Sequence, residues 1–140
     1  LLDFSAAKRG VTVTVEGSPA CVRAARRDVE ELIYNLCDNA IRYNKENGSV
    51  TVTVQGTPAG ARLCVRDTGI GIAEQHRERV FERFYRVDKS RSKETGGTGL
   101  GLAIVKHIAA GIGAQLSLES QVGVGTAITV QFPPLENAAQ

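Results

Sequence analysis

The chain has 140 residues, of which 42% are hydrophobic and 23% charged, and its formal net charge is +2. That is the composition of one globular domain with a single core, and it excludes a disordered or fibrous chain. The charge is too evenly balanced for a nucleic-acid or membrane surface, which is usually strongly basic and clustered, and no apolar run approaches the ~20 residues that span a bilayer.

The opening stretch "LLDFSAAKRG" lacks the charged start and long apolar body of a signal peptide. It begins at Leu1 and the sequence holds no methionine, so a fragment of a longer chain is expected. In "VTVTVEG", Val11, Val13 and Val15 alternate with Thr12 and Thr14, the period of a half-buried strand. The period then changes in "DVEELIYNLCDNAIRY", where Val29, Leu32, Ile33, Leu36 and Ala40 recur at helical spacing and Asp28 is placed to cap the start. Alternation returns over 50–55 (Val50, Val52, Val54) and 61–67 (Leu63, Val65), and the connection "GTPAG" predicts an antiparallel hairpin. A short helix is expected within "AEQHRERVFERF". Another helix should begin near Gly99 and stop at Gly111.

Strands over 115–120 (Leu116, Leu118) and 126–131 (Ile128, Val130, with Phe132 beyond) predict a second hairpin across "QVGVG". Pro133 and Pro134 end the last strand, and "LENAAQ" reads as a tail. Hairpins argue against an all-parallel doubly wound sheet. The element order predicts one α/β domain over 1–140, a two-layer sandwich with a mixed, mostly antiparallel sheet of about five strands and about three helices on one face. Cys21, Cys37 and Cys64 are odd in number and widely spaced, with no C-x-x-C pair, so buried reduced thiols are expected.

Chemistry is concentrated in three stretches. Glu31, Asn35, Asn39 and Arg42 are spaced four, four and three apart, so they rise along one side of the first helix. Asparagine costs a helix roughly 0.6 kcal/mol against alanine. The pair on this stripe therefore either bonds a neighbouring loop or offers neutral carbonyls to a Mg²⁺ ion that already carries phosphates and waters. In "RDTGIGIAEQ", Asp67 stands at a strand end before Gly69 and Gly71, which suits a tight turn, a dinucleotide-binding loop or a floor approached by a base. Glu74 occupies the place of the third dinucleotide-motif glycine, which with the hairpins disfavours that reading. In "TGGTGLGLAIVKHI", Gly97, Gly99 and Gly101 leave backbone N–H groups open at a helix start, where phosphate is favoured. No glycine is followed by lysine, so a G-x-x-x-x-G-K phosphate loop is absent.

"ELIYNLCDNAIRYNK", "RDTGIGI", "VFERFYRVDKSRS" and "GGTGLGLAIVKHI", in this order and at these separations, resemble the N, first glycine, F and second glycine boxes of the catalytic, ATP-binding domain of bacterial sensor histidine kinases. The run from the F box onward is most similar to phosphate-sensing and related envelope sensors. The likeness covers nearly the whole chain, and it implies the Bergerat ATP-binding fold shared with gyrase, the Hsp90 chaperones and the mismatch-repair ATPases. On this resemblance, Asp67 would accept a hydrogen bond from the adenine exocyclic amine, with Gly69, Gly71 and Ile72 beside the base. Asn39 would hold Mg²⁺ with Asn35 next to it, Arg42 would meet phosphate, and Tyr43 would pack near the base. Gly97, Gly99 and Gly101 would cradle the phosphates of ATP, with Thr98 and Leu100 in the same nucleotide-binding stretch. Glu31 would polarise the incoming histidine. Phe81 and Phe84 resemble the F-box pair, which fits core aromatics and a lid hinge alike.

The segment 89–97, "KSRSKETGG", holds no large apolar residue and is expected to be a mobile lid that orders over bound nucleotide. The family phosphorylates a histidine in an H-E-x-x-x-P context on a dimerising helical hairpin, and neither His76 nor His107 has that context. The implied partners are thus a dimerisation and phosphoacceptor domain of the same kinase and, through it, a response regulator. No contact of this stretch with nucleic acid or membrane is expected, and the implied place is the cytoplasmic side of a membrane-anchored bacterial sensor. An anti-sigma-type serine kinase of the same fold, or a nucleotide-sensing interaction module without transfer activity, are the alternative readings.

Overall fold

A computed structural model of the chain describes residues 10–82 and 101–135. Strands β1 (Thr12–Gly17), β2 (Ser49–Thr57), β3 (Gly60–Asp67), β4 (Gln115–Gln121) and β5 (Gly125–Gln131) form one sheet in the order β1-β2-β3-β5-β4. β1 and β2 run parallel, and every other neighbouring pair is antiparallel. Helix α1 (Arg26–Arg42) makes the crossover between the parallel pair, and α2 (Gly101–Ile112) leads into β4. This is the α/β sandwich with a mixed, mostly antiparallel sheet that the sequence predicts. Both expected hairpins form, with Thr57 opposite Gly60 in one and Gln121 opposite Gly125 in the other.

Strand register assembles the core. One row runs Val52, Val65, Ile128 and Leu118 across the sheet, and the next runs Val54, Leu63, Val130 and Leu116. Because side chains alternate between faces, these rows share the face that carries the helices. Leu32, Leu36, Ala40 and Ile41 of α1 and Leu102, Val105, Ile108 and Ala109 of α2 are buried against it. Each fully buried aliphatic side chain contributes about 1.5–3 kcal/mol, so the apolar stripe, more than helix propensity, fixes where the helices lie.

The structure departs from the sequence reading in several places. Helix α1 starts at Arg26 with Ala25 as N-cap, and no side chain caps it. Asp28 lies instead inside the first turn, where its charge still complements the helix dipole. Gly111 lies within α2. The helix stops at Gly113, whose φ is +86°, with Ala114 N–H bonded to Ala109 O at 2.8 Å and Gly113 N–H to Ala110 O at 3.3 Å, a Schellman end. The stretch read as a short helix within 73–84 is, as far as Glu82, a 3₁₀ turn over Glu74–His76 followed by further turns, so the described residues hold two α-helices. Val80 is buried and Phe81 packs against the core, which anchors this segment without helical regularity.

β1 was expected to be half-buried, yet Val13 is 38% and Val15 71% exposed. Both share a row with buried Val50 and Val52, but β1 is the sheet edge and α1 packs over β2 and β3. Cys37 alone of the cysteines is buried. Cys21 is exposed and Cys64 half-buried, against the expectation for all three. Burial pushes the Cys37 thiol up, and the neighbouring Asp38 charge acts the same way.

Candidate functional site

Asp67 is the last residue of β3 and continues the inward alternation of Leu63 and Val65, paired with fully buried Val50. A carboxylate therefore stands where the period of the strand calls for a core side chain. Its Oδ1 accepts the backbone N–H of Gly69 at 2.8 Å and that of Thr126 at 3.1 Å. Among the described residues no donor meets Oδ2. Burial pushes the Asp67 carboxyl above its usual range, and the Gly69 and Thr126 N–H donors pull it part of the way back. The result is an oriented acceptor with one oxygen saturated and the other open.

The loop after Asp67 is stitched on both sides. Ile70 N–H reaches Tyr43 O, the residue that closes α1, at 3.2 Å, and Gly123 N–H of the β4–β5 turn reaches Ile70 O at 2.9 Å. Ile72 N–H donates to Ser120 Oγ at 2.7 Å. The glycines allow these approaches. A Cβ on Gly69 would lie 2.4 Å from Tyr43 O, and one on Gly71, whose φ is +75°, would lie 2.2 Å from Gln121 O. Both spaces are filled by the protein's own backbone, so the two glycines serve the loop's packing, where the sequence reading also gave them to the base.

On α1 the expected stripe forms. Asn35 Nδ2 donates to Glu31 O at 2.8 Å, which leaves its Oδ1 as acceptor. That oxygen would be 3.4 Å from a Cβ on Gly101, the first residue of α2, so the structure brings Asn35 and the start of the second helix together. Asn39 is half-buried and its amide has no hydrogen-bond partner among the described residues. The alternative that these asparagines bond a neighbouring loop is not what the described contacts contain. Arg42, expected at phosphate, pairs with Asp38 one turn back at 2.8 Å. Glu31 is exposed and Tyr43 half-buried. Gly97, Thr98, Gly99, Leu100, Phe84 and the expected lid over 89–97 lie outside the described residues.

The sequence reading missed a polar network behind the loop. Thr126 is buried, and its Oγ1 lies 2.7 Å from Ser120 Oγ. Asn44 is fully buried; its Oδ1 accepts Lys45 N–H at 2.9 Å and Thr68 Oγ1 at 3.2 Å, and its Nδ2 donates to Ser49 O at 2.9 Å. It ties the end of α1 to the start of β2 and to the loop after Asp67. Thr126 and Ser120 carry no signal in the sequence beyond being polar residues in strands. Asn44 follows a helix end, where asparagine is ordinary.

Among the described residues there is no group of three or more His, Cys, Asp and Glu side chains that could hold a metal. The donor set on offer is the amide pair Asn35 and Asn39, which suits a hard cation already bearing oxygen ligands.

Residues 24–137 match the family described as histidine kinase-, DNA gyrase B-, and HSP90-like ATPase. The chain is 43% identical over 125 residues to the sensor histidine kinase YkoH of Bacillus subtilis, an alignment covering 89% of this chain and 27% of that protein. It is 39% identical over 133 residues to the phosphate regulon sensor protein PhoR of Pseudomonas aeruginosa, covering 94% of this chain and 30% of that protein. The chain thus spans less than a third of the length of either relative. Among solved structures it is similar to full-length ShkA in complex with AMPPNP, at 27% identity and a TM-score of 0.79, covering 96% of this chain and 28% of that chain.

Proposed function

The chain belongs to the histidine kinase-, DNA gyrase B-, and HSP90-like ATPase family, and from that membership we propose that it is the catalytic domain of a two-component sensor histidine kinase, binding Mg·ATP and transferring its γ-phosphate to a histidine on a separate dimerisation domain. The observation that carries the reading is the carboxylate of Asp67, with Oδ1 held by Gly69 and Thr126 and Oδ2 without a donor among the described residues. An acceptor so fixed matches the exocyclic amine of adenine. Guanine carries a carbonyl there, and facing two acceptors costs on the order of 1–3 kcal/mol.

The other residues fall into roles around that anchor. Ile72 lines the base beside Asp67, and Tyr43 closes the same edge. The Asn39 amide, without a hydrogen-bond partner among the described residues, and the Asn35 Oδ1 fit Mg²⁺, which when bound would neutralise charge on the phosphates. Arg42, whose Nε is paired with Asp38, meets phosphate. Gly101 opens α2, and with Gly97, Thr98, Gly99 and Leu100, which lie outside the described residues, it makes up the stretch proposed to bind the phosphates. Glu31, exposed on the same stripe, accepts the N–H of the attacking imidazole and leaves its other nitrogen as nucleophile. The new P–N bond forms as the bond to the ADP oxygen breaks, and the protein's contribution is positioning and charge.

The complex of ShkA with AMPPNP supports a nucleotide at this fold, and the likeness to the sensor histidine kinase YkoH supports a phosphoacceptor domain as partner, with a response regulator proposed downstream of it. No helix among the described residues is long and apolar enough to cross a membrane; a cytoplasmic place in an anchored sensor is proposed from the likeness to sensor kinases alone. The test is calorimetric titration with ATP and GTP, with and without Mg²⁺, followed by addition of a dimerising histidine hairpin in trans. Mg²⁺-dependent preference for ATP and label on the hairpin are expected; equal affinity for the two nucleotides would sink the reading.

A further inference from the structure

Arg77 follows the 3₁₀ turn of Glu74–His76, and buried Val80 roots the same segment in the core. The turn folds the arginine back over the loop it has just left. Its Nε donates to Ile72 O at 3.3 Å and its Nη2 donates to Ser120 O. Among the described residues the guanidinium has no carboxylate partner. A planar cation with fixed N–H directions is thus spent on joining two backbone carbonyls, one in the base loop and one in β4.

Those carbonyls belong to residues already joined by another bond, since Ile72 N–H donates to Ser120 Oγ at 2.7 Å. The Ser120 hydroxyl in turn lies 2.7 Å from Thr126 Oγ1, and Thr126 N–H holds Asp67 Oδ1 at 3.1 Å. A continuous chain of contacts therefore runs from Arg77 to the carboxylate. Resting on the nucleotide reading above, we infer that Arg77 is a positioning residue for base recognition, clasping the Ile72 loop to β4 so that the open oxygen of Asp67 stays aimed. Charge-assisted bonds to carbonyls are stronger than neutral ones, which suits a clasp between segments 43 residues apart in sequence.

Arg77→Met keeps much of the apolar stem and removes the donors. In the 140-residue chain, affinity for Mg·ATP is expected to fall about tenfold, the scale of about one lost charge-assisted bond. Affinity for inorganic tripolyphosphate with Mg²⁺ should stay unchanged, because the phosphate end of the site does not involve the clasp. Hydrogen exchange at the Ile72 amide, measured without nucleotide, should quicken. An equal loss on both probes, or no loss on either, overturns the inference while leaving ATP binding by the unaltered chain intact. Failure of the unaltered chain to bind Mg·ATP overturns the nucleotide reading and this inference with it. Should Arg77→Met fail to fold, Arg77→Lys carries the same comparison, with a smaller fall for Mg·ATP alone expected.

Discussion

Thr126 donates its backbone N–H to Oδ1 of Asp67 at 3.1 Å across 59 positions of sequence, onto the oxygen that Gly69 also holds. The carboxylate is fixed by the strand beside it and by its own loop, and neither neutralises it. Asp67→Asn keeps an oxygen for both donors and removes a charge that burial disfavours. The variant is expected to melt at or above the temperature of the unaltered chain, yet to lose about 2–3 kcal/mol of ATP binding, because an amide N–H₂ can turn toward the adenine amine. A melt and a titration decide it together; undiminished ATP affinity would remove Asp67 from the base.

The same burial gives a pH dependence with a definite sign. The folded pKa of Asp67 is raised above the unfolded value, so its contribution to stability is full below the unfolded pKa and is lost as pH rises through the folded one. At neutral pH the ionised form is kept at some cost to the fold. Acidification through the raised pKa therefore relieves the fold at this residue while the acceptor is lost. ATP affinity should decline over that window, and a titration series with pH in which binding strengthens as the carboxyl protonates would contradict the assignment.

Asn39→Ala tests the metal site. The amide has no partner among the described residues, and alanine is the better helix former by roughly 0.6 kcal/mol. Thermal stability should hold or rise slightly, whereas Mg²⁺-dependent ATP binding and label transfer to a histidine hairpin should both collapse. Transfer at the normal rate would move the metal to Asn35 or elsewhere.

Two glycines make a paired test of packing. Gly69→Ala drives a methyl to 2.4 Å from Tyr43 O, a backbone atom that cannot step aside, and should cost about 1–3 kcal/mol together with nucleotide affinity. Gly111→Ala meets nothing within 4 Å inside α2 and should gain about 0.5–1 kcal/mol with affinity unchanged. Denaturant unfolding of both variants reads the difference, and equal effects would refute the account of the loop.

Much of the fold was legible because alternation and helical spacing are local records of which face is buried. The period that marks Leu63 and Val65 also points Asp67 inward, so the residue proposed to meet the base could be read from one strand. What local pattern lacks is the neighbour. Val13 and Val15 have the same alternation as Val50 and Val52 but lie beyond the helix layer. Gly111 and Gly113 are equally plausible stops, and only the backbone conformation beyond the helix separates them. Ser120 and Thr126 act on the loop by arriving from distant sequence, Arg77 by folding back from five residues beyond Ile72 to reach Ser120, and nothing in their own surroundings announces it.

The strand order has a consequence for how the molecule comes into being. β3 pairs with β5, its neighbour on that side, while β4, which precedes β5 in the chain, lies outside it as the far strand of a hairpin. During vectorial synthesis at about 5–20 residues per second, Asp67 emerges roughly 3–12 s before Thr126. For that interval the half-made sheet presents the open edge of β3 and a carboxylate held only by its own loop. A ribosome-bound chain stalled short of β5 should therefore be blind to nucleotide, and the onset of binding on the nascent chain would time the closing of the sheet.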